Sequence, residues 1–120
     1  HQPTVAGSFN GAVVLALTFD PTRGREIQKQ RPAIVISSDA LGRLPLKLVV
    51  PIQDEKGLHK QPLAIHILPN KENGLSKESG VDVLQMRSVD TSRFMIRLGF
   101  VRDVQLEEIL QALAAVVELS

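Results

Sequence analysis

Residues 12–37 read AVVLALTFDPTRGREIQKQRPAIVIS, two apolar runs separated by a polar one, and this alternation decides the fold class. Ala12–Phe19 is continuously apolar up to Asp20-Pro21, the pattern of a buried strand that ends in a turn. Thr22–Gln30 contains a single apolar residue and a glycine, which predicts a long polar loop. Pro32 then opens a second short run rich in β-branched residues. Arg31 precedes that proline, and the clash with the proline ring holds its backbone extended at the mouth of the second strand.

Outward from this unit, Ser38-Asp39 caps a short turn through Leu41-Gly42, and Leu44–Ile52 reads as a third strand with prolines near both ends. Gln53–Gln61 is a polar loop, Leu63–Leu68 a fourth strand, and Pro69–Gly80 a turn-rich connection. Val81–Leu84 and Arg93–Val101 are further short strands. Five or six strands with turn signals between them predict a small barrel or sandwich. At the C-terminus Asp103 is placed to cap a helix in which Leu106, Ile109, Leu110, Leu113 and Val117 recur at helical spacing, an amphipathic helix lying on the barrel. Residues 10–120 therefore form one domain. Residues 1–9, which open at His1 without methionine, are expected to be an appended or processed N-terminal extension without functional weight.

The chain has 120 residues, with 14 Lys and Arg against 13 Asp and Glu, 43% hydrophobic residues and no cysteine. A domain of this size buries about two thirds of its unfolded surface and needs no staples. Without cysteine there is no disulfide and no thiolate chemistry. The net charge of +1 means that a polyanionic partner must be met by local clusters. The uncharged run Gln2–Phe19 contains Pro3, Gly7, Ser8, Asn10, Gly11 and Thr18, which excludes a membrane helix. A cytoplasmic location is expected.

Two such clusters exist. Arg23, Arg25, Lys29 and Arg31 lie close together with only Glu26 opposing them, and Arg87, Arg93, Arg97 and Arg102 are opposed by Asp90. Guanidinium forks match phosphate geometry, and the competing reading is a solvated loop and a charged strand face. The histidines His1, His59 and His66 have no metal-like spacing, so no metal or other cofactor is expected. His66 reads as a surface residue and not a base. Nucleotide-binding glycine motifs and the hydrolase elbow are absent from the sequence. The only aromatics are Phe9, Phe19, Phe94 and Phe100, mostly in apolar runs, which argues against a stacking platform for single strands.

The stretch Asp20-Pro21-Thr22-Arg23-Gly24-Arg25-Glu26, followed by Arg31-Pro32-Ala33-Ile34-Val35-Ile36-Ser37, resembles the DPTxGxEQxxxRPxxVxS signature of the MazF/PemK toxins, with Ile27 where that pattern has glutamine. Val49-Val50-Pro51-Ile52 resembles the family's third-strand VxPI, Asn73-Gly74-Leu75-Ser76-Lys77-Glu78-Ser79 its GLxKxS turn, and Gln85-Met86-Arg87-Ser88-Val89-Asp90 its QxRTID segment. Arg93, Arg97, Leu98 and Gly99 continue the match in order.

The resemblance implies a mainly β fold with α, an SH3-like small barrel of the CcdB/MazF kind with a C-terminal helix. It implies a homodimer that cleaves single-stranded RNA at short sequences without metal, leaving 2′,3′-cyclic phosphate and 5′-hydroxyl ends. It implies restraint by a cognate MazE-like antitoxin bound in the same groove, and no membrane partner. The family's catalytic arginine falls on Arg31. Its second catalytic residue, usually threonine, falls on Gln53, which has an amide donor but no hydroxyl. Neighbouring Asp54 and Glu55 could supply a base. The RNA-contacting positions fall on Arg23, Arg25, Glu26 and Gln28 in the first loop and on Gln85 and Arg87 later; structurally, Gln85 could instead tie down a strand end and Arg87 pair with Asp90. A protein of the same fold that binds RNA or antitoxin but cleaves poorly, because Gln53 replaces threonine, is the alternative. A gyrase poison of the CcdB type is disfavoured, since that family relies on a tryptophan near the end of its last helix and this chain has none.

Overall fold

β1 (Gly11–Thr18) pairs antiparallel with β2 (Gln30–Val35), as the opening apolar runs predict. The computed structural model describes residues 11–18, 30–37, 44–56, 58, 61 and 63–117. The predicted Thr22–Gln30 loop, apart from Gln30 itself, and the turn through Leu41-Gly42 lie outside them. Then follow β3 (Leu46–Asp54), β4 (Ala64–Ile67), β5 (Ser79–Asp82), a 3-10 turn (Val83–Gln85), β6 (Arg87–Asp90), a second 3-10 turn (Thr91–Arg93), β7 (Phe94–Arg102) and α1 (Asp103–Val116). The strands are ordered β4-β5-β3-β2-β1-β7, with β6 paired to β3. This is the mainly β, barrel-like sheet with a C-terminal helix that the sequence implied.

Three elements differ from the sequence reading. β3 runs on through Gln53 and Asp54, which polarity had assigned to a loop, because pairing with β5 (Ile52 opposite Val81, Asp54 opposite Ser79) holds them extended. β6 is a strand that the sequence reading did not separate, formed by pairing Leu46–Val49 with Arg87–Asp90. Asp103 is the first helical residue and not the cap; Arg102 holds the cap position without a side-chain hydrogen bond. The Asp103 charge still suits the positive end of the helix dipole.

Residues facing each other on antiparallel neighbours point to the same side, so the register sorts side chains into two faces. On one, Val14, Ile34, Val50, Ile52 and Val81 form the main core, closed by Leu106 and Ile109 of α1. On the other, Leu17, Ala33, Val49 and Val89 make a smaller cluster with Val35 and Phe94. Ile109 is fully buried, whereas Leu110, which shares its helical pattern, is 37% exposed, and Val117 is also exposed. Ile109→Ala is expected to cost about 3 kcal/mol in urea denaturation and Leu110→Ala less than about 1 kcal/mol. Equal losses would mean that the helix packs on a different face.

The turn after β4 is clipped to β7. The Asn73 side chain, fully buried, accepts hydrogen bonds from the backbone N–H groups of Asn70 (3.1 Å) and Leu75 (3.0 Å) and donates to the Leu68 carbonyl (2.8 Å). Gly74 adopts φ +70°, and the Phe100 N–H donates to the Glu72 carbonyl at 2.8 Å. Against β1, β7 carries two register shifts, at Leu98 and Met95, which bend it along the turn.

Candidate functional site

Pro32 and Pro51 carry no backbone N–H, and the β2–β3 ladder stops at Ala33 opposite Pro51. Continuing that register by two residues brings Arg31 alongside Gln53, on the side of the sheet away from the main core. The paired ladder does not extend that far, and both residues line a cleft. Gln53 faces Gly80 of β5, so β5 forms the next wall.

The far wall follows from a change of partner. β3 pairs with β6 through Val49 and with β5 from Ile52, and the 3-10 turn Val83–Gln85 carries the chain from one to the other. Asp82 caps that turn, its carboxylate accepting from the Leu84 N–H at 3.0 Å, and Met86 N–H returns to the Val83 carbonyl. Gln85 and Arg87 both line the cleft. One lobe, about 590 Å³, is lined by Arg31, Gln53, Lys56, Asp82, Gln85 and Arg87, over a floor that includes Pro51. A second, about 740 Å³, shares Arg31, Gln53 and Lys56 and extends past Leu75, Ser76 and Lys77.

Arg31 and Gln53 thus stand where the two lobes meet, both exposed. Among the described residues no carboxylate pairs with Arg31. Arg31, Lys56 and Arg87 outnumber Asp82 in the first lobe, and Arg31, Lys56 and Lys77 outnumber Asp54 in the second. This is the local positive field that a nearly neutral chain needs to hold a polyanion.

The remaining candidates separate. Arg23, Arg25, Glu26 and Gln28 lie outside the described residues. Asp54 and Glu55, offered as bases, are engaged: Asp54 pairs with Lys77 at 2.9 Å and Glu55 with His66. His66 lies in neither lobe. The Asp90 carboxyl is held below its usual range first by the Ser92 backbone N–H, then by the Ser92 hydroxyl and Arg93, not by Arg87. The second arginine cluster is divided. Arg87 is in the cleft, whereas Arg102 is turned to Glu72, whose carboxylate raises its pKa, and lies 5.9 Å from the Phe100 ring centre. Arg93 and Arg97 line neither lobe.

Lys56 and Asp82 were not singled out in the sequence. For Asp82 the available signal was a lone charge inside the apolar Val81-Asp82-Val83-Leu84. No three His, Asp or Glu side chains among the described residues gather where they could hold a metal ion, and no described helix is long and apolar enough to cross a membrane. Chemically, the cleft offers a guanidinium and an amide donor on one shared lining.

Residues 10–117 match the model of a family described as PemK-like, MazF-like toxin of type II toxin-antitoxin system. The chain is 32% identical over 115 residues to the endoribonuclease toxin ChpB of Escherichia coli, covering 92% of this chain and 95% of ChpB. It is 30% identical over 101 residues to the endoribonuclease MazF9 of Mycobacterium tuberculosis, covering 79% of this chain and 84% of the relative. Among solved structures, MazE-MazF (Form-II) from Deinococcus radiodurans superposes with a TM-score of 0.72 at 28% identity, covering 92% of this chain and 96% of that one.

Proposed function

The chain belongs to the PemK-like, MazF-like toxins of type II toxin-antitoxin systems, and we propose that it is an endoribonuclease that cuts single-stranded RNA at Arg31 and Gln53. The observation that carries this reading is the meeting of those two side chains between two cation-lined lobes, a shape suited to a strand running through. Two similar proteins are named endoribonucleases, which supports the same activity here.

The 2′-hydroxyl of one nucleotide attacks the adjacent phosphorus, the bond from phosphorus to the 5′-oxygen breaks, and a 2′,3′-cyclic phosphate and a 5′-hydroxyl result. The 2′-hydroxyl gives up a proton and the leaving 5′-oxygen takes one up. Between these events the non-bridging oxygens carry the growing charge. A guanidinium stays protonated in ordinary water, so the role of Arg31 is to stabilise that charge, with the Gln53 amide N–H as a second donor. Neither role requires a metal. Base contacts come from the first-loop residues Arg23, Arg25, Glu26 and Gln28 and from Gln85 and Arg87 across the cleft.

The Deinococcus radiodurans MazF was solved with MazE. A MazE-like segment occupying this cleft, a homodimer and a cytoplasmic location complete the proposal.

The test is incubation with a long unstructured RNA in EDTA, followed by mapping of the ends. Cuts at a recurrent short sequence with 5′-hydroxyl and cyclic-phosphate termini are expected. RNA that binds in a salt-sensitive way yet stays intact would replace the nuclease with a binding module. In the same assay Gln53→Leu is expected to lower kcat by about 10²-fold with KM nearly unchanged, because the lost donor acts on charge that develops only in the transition state. Full activity in Gln53→Leu would remove this residue from the chemistry.

A further inference from the structure

Asp82 is 4% exposed and is the one buried ionisable side chain among the described residues. Two residues on from Gly80, which is opposite Gln53, it lies on the same side of the sheet as Gln53 and the cleft, away from the main core, and lines the first lobe together with Pro51. One carboxylate oxygen accepts from the Leu84 N–H; the other has no partner among the described residues. A turn cap needs only one acceptor, which serine or asparagine supplies without charge. Burying a carboxylate with an oxygen unused is costly. Asp82 lines the lobe that also holds Gln85 and Arg87, both hydrogen-bond donors.

We propose that Asp82 is a specificity-determining residue that accepts a hydrogen bond from the amino group on the Watson–Crick edge of a base seated in this lobe. The proposal rests on the RNA reading above. With the carboxylate at the amino position and donors next to it, the lobe fits cytosine, whose amino N4 lies next to the acceptors N3 and O2, and adenine, whose amino N6 lies next to N1. It also fits guanine, whose N1 and N2 donors lie next to O6. Uracil turns the acceptor O4 to a carboxylate at the amino position and has only its ring N3–H to give, and carboxylates accept from such amino groups in base readout.

Asp82→Asn keeps the cap, since the amide oxygen accepts from Leu84, and puts an N–H where the free oxygen was. Asp82→Ser keeps a cap but is too short to reach the base. The wild type and both variants, first checked for unchanged melting, are incubated with an RNA pool randomised over a short window. Cut ends are sequenced, and protein-bound RNA is recovered separately. At one position the wild type is expected to favour an amino-bearing base, cytosine, adenine or guanine, over uracil by about tenfold. Asp82→Ser is expected to flatten that preference and Asp82→Asn to shift it towards uracil, with cleavage persisting at the new sequences. Which amino-bearing base is enriched identifies the one read.

Unchanged sequence preference in both folded variants overturns the proposal and leaves the nuclease reading intact. If the wild type binds without cutting, the nuclease reading falls and the bound pool decides the matter: loss of the amino-bearing base in Asp82→Asn supports the proposal, and an unaltered pool overturns it. If the wild type neither binds nor cuts RNA, both are overturned. Should the variants melt early, base preference is measured in the wild type alone, with cytosine–uracil, adenine–purine and guanine–inosine substitutions at each position of a cleaved site; no penalty at any position overturns the proposal, and a penalty confined to one position supports it.

Discussion

Arg31→Ala is expected to lower kcat/KM for RNA cleavage by about 10³-fold while leaving the urea denaturation midpoint unchanged. The separation of the two effects follows from where the residue sits. Arg31 is exposed at the start of β2, and its strand is held by the apolar residues that follow it, Ala33 and Ile34, both fully buried. No carboxylate among the described residues pairs with it, so truncation breaks no ion pair there and opens no cavity. Its loss falls instead on the transition state, where a phosphorane needs a cation already in place. Removing one preorganised donor typically costs about 10²–10³ in rate, and here the donor is also charged. Arg31→Lys should recover only part of this, since an ammonium keeps the charge but lacks the planar fork. RNA affinity, measured with a substrate whose reacting 2′-hydroxyl is replaced by hydrogen, should fall far less than turnover. More than a tenth of wild-type activity in Arg31→Ala would place the chemistry elsewhere in the cleft.

The order of β1, loop and β2 was legible because apolar runs and a proline mark strand ends in a single sequence. Gln53 was legible only through family resemblance. Local polarity put Gln53-Asp54-Glu55-Lys56 in a loop, and what extends β3 through Gln53 and Asp54 is a partner some 27 residues away, since Gln53 faces Gly80. Long-range pairing of this kind overrides local preference. β6 was hidden for the same reason: four residues with one buried position, Val89, carry too little pattern to stand apart. The arginines show the limit most clearly. Arg87 and Arg102 look alike in the sequence, but one borders the cleft and the other is turned to Glu72, because only the fold decides which strand end meets which turn. Asp82 was readable in principle, as a charge among valines and a leucine, though its orientation required the register of β5 against β3.

Gly99→Ala is expected to be strongly destabilising for a single added methyl, costing about 3 kcal/mol or more in urea denaturation. A Cβ at this position would lie 2.0 Å from the Glu72 carbonyl oxygen and 2.8 Å from the Asn73 carbonyl carbon. Both are backbone atoms, and neither can rotate away as a side-chain end could. The 70–75 turn cannot retreat cheaply, because the same Glu72 carbonyl accepts from Phe100 N–H at 2.8 Å and the buried Asn73 amide ties the turn at three points. Gly74, at φ +70°, has no room either: its Cβ would lie 2.3 Å from the Leu98 carbonyl oxygen. Separating turn from strand therefore loses a hydrogen bond, exposes the Asn73 network and strains the bend in β7 together, and overpacking combined with unsatisfied buried groups reaches this magnitude. Asn73→Ala should cost about 2–3 kcal/mol by the second route alone. The double variant should fall short of the sum, since both changes release the same contact. The turn leads directly into Leu75, Ser76 and Lys77 on the second lobe of the cleft. The fraction of Gly99→Ala that remains folded at low temperature should therefore show a raised KM for RNA with kcat nearly kept, the reverse of Arg31→Ala. A variant within about 1 kcal/mol of the wild type would mean that β7 and the turn are less closely seated than their 2.8 Å hydrogen bond implies.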